Sequence, residues 1–112
     1  IVHPDLYMLN RNKFDRTEKK VAEIICETAE KYDITLEINL TEPSMYLSKL
    51  KDTIKYPCKE FWKVASNYNV RVIYGIDAHY KGQIRQYEKS VKLANKIIGK
   101  EIIDKLNFCE KL

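Results

Sequence analysis

The chain has 112 residues, 45% hydrophobic and 32% charged, enough for the core of one domain and too apolar for a disordered segment. Its net charge of +4 comes from 20 basic and 16 acidic residues interleaved along the sequence, without the basic run and interspersed aromatics of a nucleic-acid surface. No apolar run approaches the ~20 residues of a membrane span. Three cysteines, odd in number and without a C-x-x-C pair, point to free thiols in a reducing, cytoplasmic setting.

In chain order, Ile1-Val2 reads as the tail of a strand, with His3-Pro4-Asp5 just past its end, because Pro4 cannot donate to a ladder. The opening Ile1-Val2-His3, without an initiator Met, reads as a truncated start. Leu6 to Phe14 is a polar-aromatic loop or short helix. Asp15-Arg16-Thr17-Glu18 has capping-box spacing and opens a helix from about Arg16 to Tyr32, with Val21, Ile25 and Ala29 as its apolar stripe, flanked by Ala22, Ile24 and Tyr32.

Ile34 to Leu40 alternates as a strand does. Ile34, Leu36, Ile38 and Leu40 form the apolar set. Thr35, Glu37 and Asn39 form the other face, solvated in an open sheet and facing the lumen in a barrel. Thr41 to Tyr56 is a long connection with room for a short helix, suited either to covering a substrate or to surface packing.

Pro57 is placed to open a helix whose apolar face is Phe61, Trp62, Val64, Ala65 and Tyr68, with Trp62 read as core. Cys58, near that helix start, reads as a small apolar residue rather than a reactive thiol. Asn67 and Asn69 close the helix. Val70 to Ile76 is then nearly all apolar, as suits a strand covered on both faces, and Gly75 within it permits a close neighbour. A third helix runs from about Gln83 to Ile98, with Ile84, Tyr87, Val91, Ala94 and Ile98 inward and Gly99 as its C-cap. Glu101 to Leu106 suits one more short helix. Asn107 to Leu112 is uninformative except for Phe108, which can dock on the core.

Strands alternating with helices at this spacing imply βαβ units and a parallel sheet, an α/β fold. In such folds functional groups gather at the C-terminal strand ends. Asp77 and His79, two apart at the end of the Val70 strand, point the same way if the strand geometry continues. Alone, such a pair suits a transition metal, general acid–base work or a structural ion pair. Three polar pairs fall at three predicted strand ends: His3 with Asp5, Glu37 with Asn39, and Asp77 with His79. Both histidines of the chain are among them, and packing has no need of that coincidence, which favours a metal-assisted site.

His3-Pro4-Asp5-Leu6, Leu36-Glu37-Ile38-Asn39, Tyr56-Pro57 with Phe61-Trp62, and Gly75-Ile76-Asp77-Ala78-His79, in this order, resemble the closing portion of the PHP (polymerase and histidinol phosphatase) family, and most closely its histidinol-phosphatases. The resemblance covers most of the chain and makes residues 1–112 the C-terminal fragment of one PHP domain. It implies a distorted (β/α)7 barrel, truncated at its N-terminus, with two or three divalent ions (Zn, Mn or Fe) at the strand C-termini. The implied activity is hydrolysis of a phosphomonoester, histidinol phosphate in histidine biosynthesis.

Carried over by that resemblance, His3, Asp77 and His79 are metal ligands, and Asp77 and His79 are also the catalytic pair. Asp5 orients a ligand, and Glu37 and Asn39 sit near the substrate. From their place just after the last motif, Arg85 or Lys81 either reaches a phosphate or, as such residues more often do, faces solvent. Two departures stand out. Ile76 occupies the place of a serine common before this aspartate, and the family's opening H-x-H motif and central ligands are not in the chain. Three ligands suffice for one weakly held ion and not for a cluster, so the fragment alone is expected to be inactive. The alternatives are a PHP-type nuclease or nucleotide phosphoesterase, and a non-catalytic fragment or interaction module. Unpaired sheet edges predict self-association or pairing with the missing N-terminal half.

Overall fold

A computed structural model describes residues 16–49, 52–54, 56–75 and 87–108. Helix α1 spans Arg16–Tyr32, the bounds its periodicity predicts. The buried ridge, however, is Glu18, Ala22, Cys26 and Ala29, rotated from the predicted stripe. Val21 and Ile25 are only partly buried, and Ile24 and Tyr32 are exposed. The reason is packing: α1 lies against a second helix, α3 (Lys59–Ala65), and its small residues Ala22, Cys26 and Ala29 join the core cluster, with Ile25 partly buried against it. The helix ends in a Schellman turn. Asp33 takes φ 55°, and the Ile34 N–H donates to the Ala29 carbonyl at 2.8 Å.

Three parallel strands follow in sequential order, β1 (Leu36–Asn39), β2 (Arg71–Gly75) and β3 (Asn107–Phe108). Leu36 pairs with Val72 and Ile38 with Tyr74 on one face, and Glu37 pairs with Ile73 and Asn39 with Gly75 on the other. The first face is the core face. Leu36, Ile38 and Val72 are fully buried there. Ile73, on the second face, is half-buried, and among the described residues it does not join the main cluster, so there only one face of β2 lies in the apolar core.

Strand β3 corrects the reading of the C-terminal stretch. It pairs with β2 at Arg71–Asn107 and Val72–Phe108, and Phe108 stacks on Tyr74 with centroids 4.9 Å apart. A two-residue strand carries no periodicity, so its existence depends on the partner rather than on its own sequence. The predicted strand at Ile1-Val2 lies outside the described residues.

Helix α2 (Thr41–Leu47) fills the first part of the connection after β1. Helix α3 starts two residues after Pro57, with Cys58 as N-cap, so Pro57 does not occupy the first turn; the Tyr56–Pro57 peptide is cis. Phe61, Trp62, Val64 and Ala65 of α3 are buried as expected, Phe61 and Trp62 meeting edge to face at 5.0 Å. Helix α4 (Tyr87–Ile98) buries Ser90, Ala94 and Ile98, whereas Tyr87, assigned inward from sequence, is 39% exposed at its first turn.

Gly99 joins α4 to α5 (Lys100–Lys105) at φ 102°, donating to the Asn95 carbonyl and accepting from Ile103. That positive φ is why glycine stands there. Side chains of α1, α3, α4 and α5 meet the core face of the sheet in one cluster. Among the described residues, no helix is long and apolar enough to cross a membrane.

Candidate functional site

The second face of β1 and β2 carries Glu37, Asn39, Arg71, Ile73 and Gly75. Asn39 is fully buried and Glu37 half-buried. The Asn39 amide Nδ2 donates to Glu37 Oε1 at 2.9 Å. Its Oδ1 accepts the Thr41 N–H, also at 2.9 Å. The two partners fix the amide's orientation, since a carboxylate accepts and a backbone N–H donates. One side chain therefore both aligns the carboxylate and satisfies a backbone donor in the first turn of α2.

Gly75 completes the arrangement. A Cβ built there would overlap the Glu37 carboxylate, with Glu37 Cγ itself only 2.9 Å away. The Leu40 N–H donates to the Gly75 carbonyl at 2.7 Å, extending the β1–β2 ladder one step beyond the last register pair. Glu37 thus leans along its strand towards the C-terminal end of β2, over the residue that precedes Ile76-Asp77-Ala78-His79 in sequence. Among the described residues Oε1 has the Asn39 amide and no donor reaches Oε2. Arg71 lies on the same face but is engaged elsewhere, 2.8 Å from the Asp33 carboxylate.

Helix α2 begins directly behind this pair. Thr41, Glu42, Pro43 and Ser44 are all buried, so the first part of the Thr41–Tyr56 connection packs into the structure. Glu42 Oε1 accepts the Tyr56 N–H at 3.1 Å and ties α2 to the segment entering α3. Ser44 Oγ is buried without a hydrogen-bond partner among the described residues.

The thiols play no part in this cluster. Burial, and then the charges of Glu27 and Glu30, push the Cys26 thiol up to about 12, which leaves it an unreactive core group. Cys58 Sγ contacts Glu60 Oε2 at 3.3 Å near the start of α3. A groove of about 270 Å³ lined by Lys19, Glu60, Lys63, Val64 and Asn67 lies between α1 and α3, on the helical side of the sheet and away from Glu37.

Of the residues singled out from sequence, Glu37 and Asn39 are therefore brought together. His3, Asp5, Asp77, His79 and Arg85, with Lys81, lie outside the described residues. Among the described residues no three His, Cys, Asp or Glu side chains gather to hold a metal ion. The sequence reading missed Glu42, whose burial follows from a partner fourteen residues away that no local pattern signals. It also missed that Asn39 has two fixed partners, although asparagine two residues before a helix start is a known local capper. The chain matches no protein-family model, no curated protein and no solved structure.

Proposed function

We propose that these residues belong to a PHP-type barrel that hydrolyses a phosphomonoester, with histidinol phosphate as the preferred substrate. The observation that carries the reading is the Glu37 carboxylate laid across Gly75 and held by Asn39, at the strand end that leads into Asp77 and His79. A carboxylate so fixed on the non-core face is polar machinery rather than packing. The sheet supports the same reading. Its strands run parallel in sequential order, and four helices meet one face. Such a sequential run, with its polar residues on the face opposite the helices, is compatible with a segment of a singly wound barrel, as it is with one half of a doubly wound sheet.

His3, Asp77 and His79 are the residues that would hold a divalent ion, and their imidazole and carboxylate donors suit Zn, Mn or Fe. Such an ion supplies Lewis acidity and a more acidic bound water. The chain's own residues do the rest. Asp5 orients a ligating imidazole. Arg85 or Lys81 offsets charge on the phosphoryl oxygens. Asn39 keeps the Glu37 carboxylate in one rotamer, so no reorganisation is needed when substrate enters. Three ligands fall short of a two- or three-metal cluster, so full activity requires the remaining βα units of the barrel. Among the described residues β1 and β3 are the edge strands of the sheet, and further strands would add there.

The test is release of inorganic phosphate from histidinol phosphate by the intact barrel, with and without a chelator, and with Asp77→Asn and His79→Ala. The reading expects chelation and either substitution to lower the rate by at least about a hundredfold. Unchanged rates in both variants, or hydrolysis of a nucleic-acid 3′ end in preference to histidinol phosphate, would contradict it.

A further inference from the structure

We infer that the outer flank of α1 is the docking surface for a second copy of this chain, the two α1 helices packing antiparallel about a two-fold axis at Thr28. The surface lies on the helical side of the sheet and does not depend on the phosphomonoester reading. Ile24 and Tyr32 are large apolar side chains left in solvent, 53% and 64% exposed, and Thr28 between them is exposed as well. Residues four apart on a helix are neighbours on its surface, so the three form one ridge. Val21 and Ile25, both half-buried, lie between that ridge and the buried Ala22, Cys26 and Ala29. The apolar face of α1 is thus wider than its own core contact uses.

The ridge faces away from α3. Lys19 marks the α3 side of α1 by lining the groove with Lys63 and Val64, and Glu30 marks it by accepting the Asn69 N–H at 2.6 Å. At about 100° per residue, the ridge stands a third of a turn or more from both.

The order of sizes along the ridge names the occupant. Large, small, large at positions 24, 28 and 32 is symmetrical about Thr28. Under an antiparallel two-fold, Ile24 of each copy comes level with Tyr32 of the other, and the small threonines take the crossing point, where two helices come closest. The charged rim obeys the same symmetry. Glu27 and Lys31 are both exposed on one side of the ridge. Reversing one helix brings that side of both copies together. Lys31 of one copy then lies about 3 Å along the axis from Glu27 of the other, within reach of its long side chain, and two reciprocal ion pairs result. Lys31 is already turned to this side, its Nζ 5.3 Å from the centre of the Tyr32 ring. A parallel pairing sets Lys31 level with Lys31 and loses the match.

The experiment is sedimentation of the full chain from micromolar to millimolar concentration, with far-UV circular dichroism of each variant. The native chain is expected to exchange reversibly between monomer and dimer. Ile24→Lys and Thr28→Arg, both at exposed positions, should keep the helical signal and raise the dimer Kd at least about tenfold. Glu27→Lys and Lys31→Glu each oppose like charges in their own homodimers, and each should raise Kd by about three- to tenfold. An equimolar mixture of these two variants should recover native-like association, because opposite charges then meet at both contacts. Any effect of either substitution within its own helix persists in the mixture, so recovery reports the contact between copies.

A native chain that stays monomeric throughout leaves the ridge to another occupant, such as a helix of a further βα unit, and overturns the inference. Association that survives Ile24→Lys and Thr28→Arg places the contact on another surface, such as a strand edge, and overturns it too. So does a mixture that associates no better than either charge variant alone.

Discussion

The Glu37 carboxylate occupies the space a side chain at position 75 would fill. Position 75 is not among the glycines with positive φ, so its backbone conformation is open to alanine and the constraint is steric. Gly75→Ala is therefore expected to cost about 1–3 kcal/mol in urea denaturation, as overpacking does. In a Glu37→Ala background the cost should largely vanish, giving a coupling of at least about 1 kcal/mol in the double-mutant cycle. An equal cost in both backgrounds would mean that the two residues do not compete for that space.

Ser44 offers a change in the opposite direction. Its hydroxyl is buried in the first part of α2 with no partner among the described residues. An unsatisfied buried polar group costs about 1–3 kcal/mol, and alanine is the better helix former. Ser44→Ala is expected to stabilise the fold by about 1 kcal/mol, read as a higher urea midpoint at unchanged slope. A destabilised variant would show that the hydroxyl is satisfied.

Cys26 sets a pH dependence with a definite sign. Its thiol is lifted from an ordinary 9.0 to about 12, by burial first and by Glu27 and Glu30 after it. Below the ordinary value both folded and unfolded chains keep the proton, and the thiol adds no pH dependence. As pH rises from 9.0 towards about 12 the unfolded chain loses the proton while the native state retains it, so stability falls across that window. Cys26→Ala lacks this titration. The Tm advantage of the native chain over the variant should shrink between about pH 8 and about pH 11. A constant difference would place the thiol in contact with water.

Much of this architecture was legible because it is local. Four-residue periodicity gave α1 its extent, and strict alternation at Leu36-Glu37-Ile38-Asn39 sorted core side chains from polar ones. Gly75 was legible as a point of close approach, though not what approaches it.

The misses are relations between distant residues. Which face of α1 is buried depends on α3, so the ridge runs through Glu18 and Cys26 instead of Val21 and Ile25. Strand β3 exists because β2 offers it an edge, and the buried Glu42 is tied to Tyr56 across the turn that precedes α3. Of the candidate site, Glu37 and Asn39 alone lie within the described residues. Their pairing was suggested by the two-residue repeat, but the amide's second bond to Thr41 needed the helix that follows.

The most direct test of the site's location is Mn(II) titration of the chain followed by paramagnetic broadening of its amide resonances. If a weak divalent site sits at the C-terminal rim of the sheet, Asn39, Thr41 and Gly75 should broaden first, while Ile34 and Asn69, before the strands begin, stay sharp. Selective broadening of Ile34 and Asn69, with Asn39 and Gly75 unaffected, would place the ion at the wrong end of the strands and contradict the account.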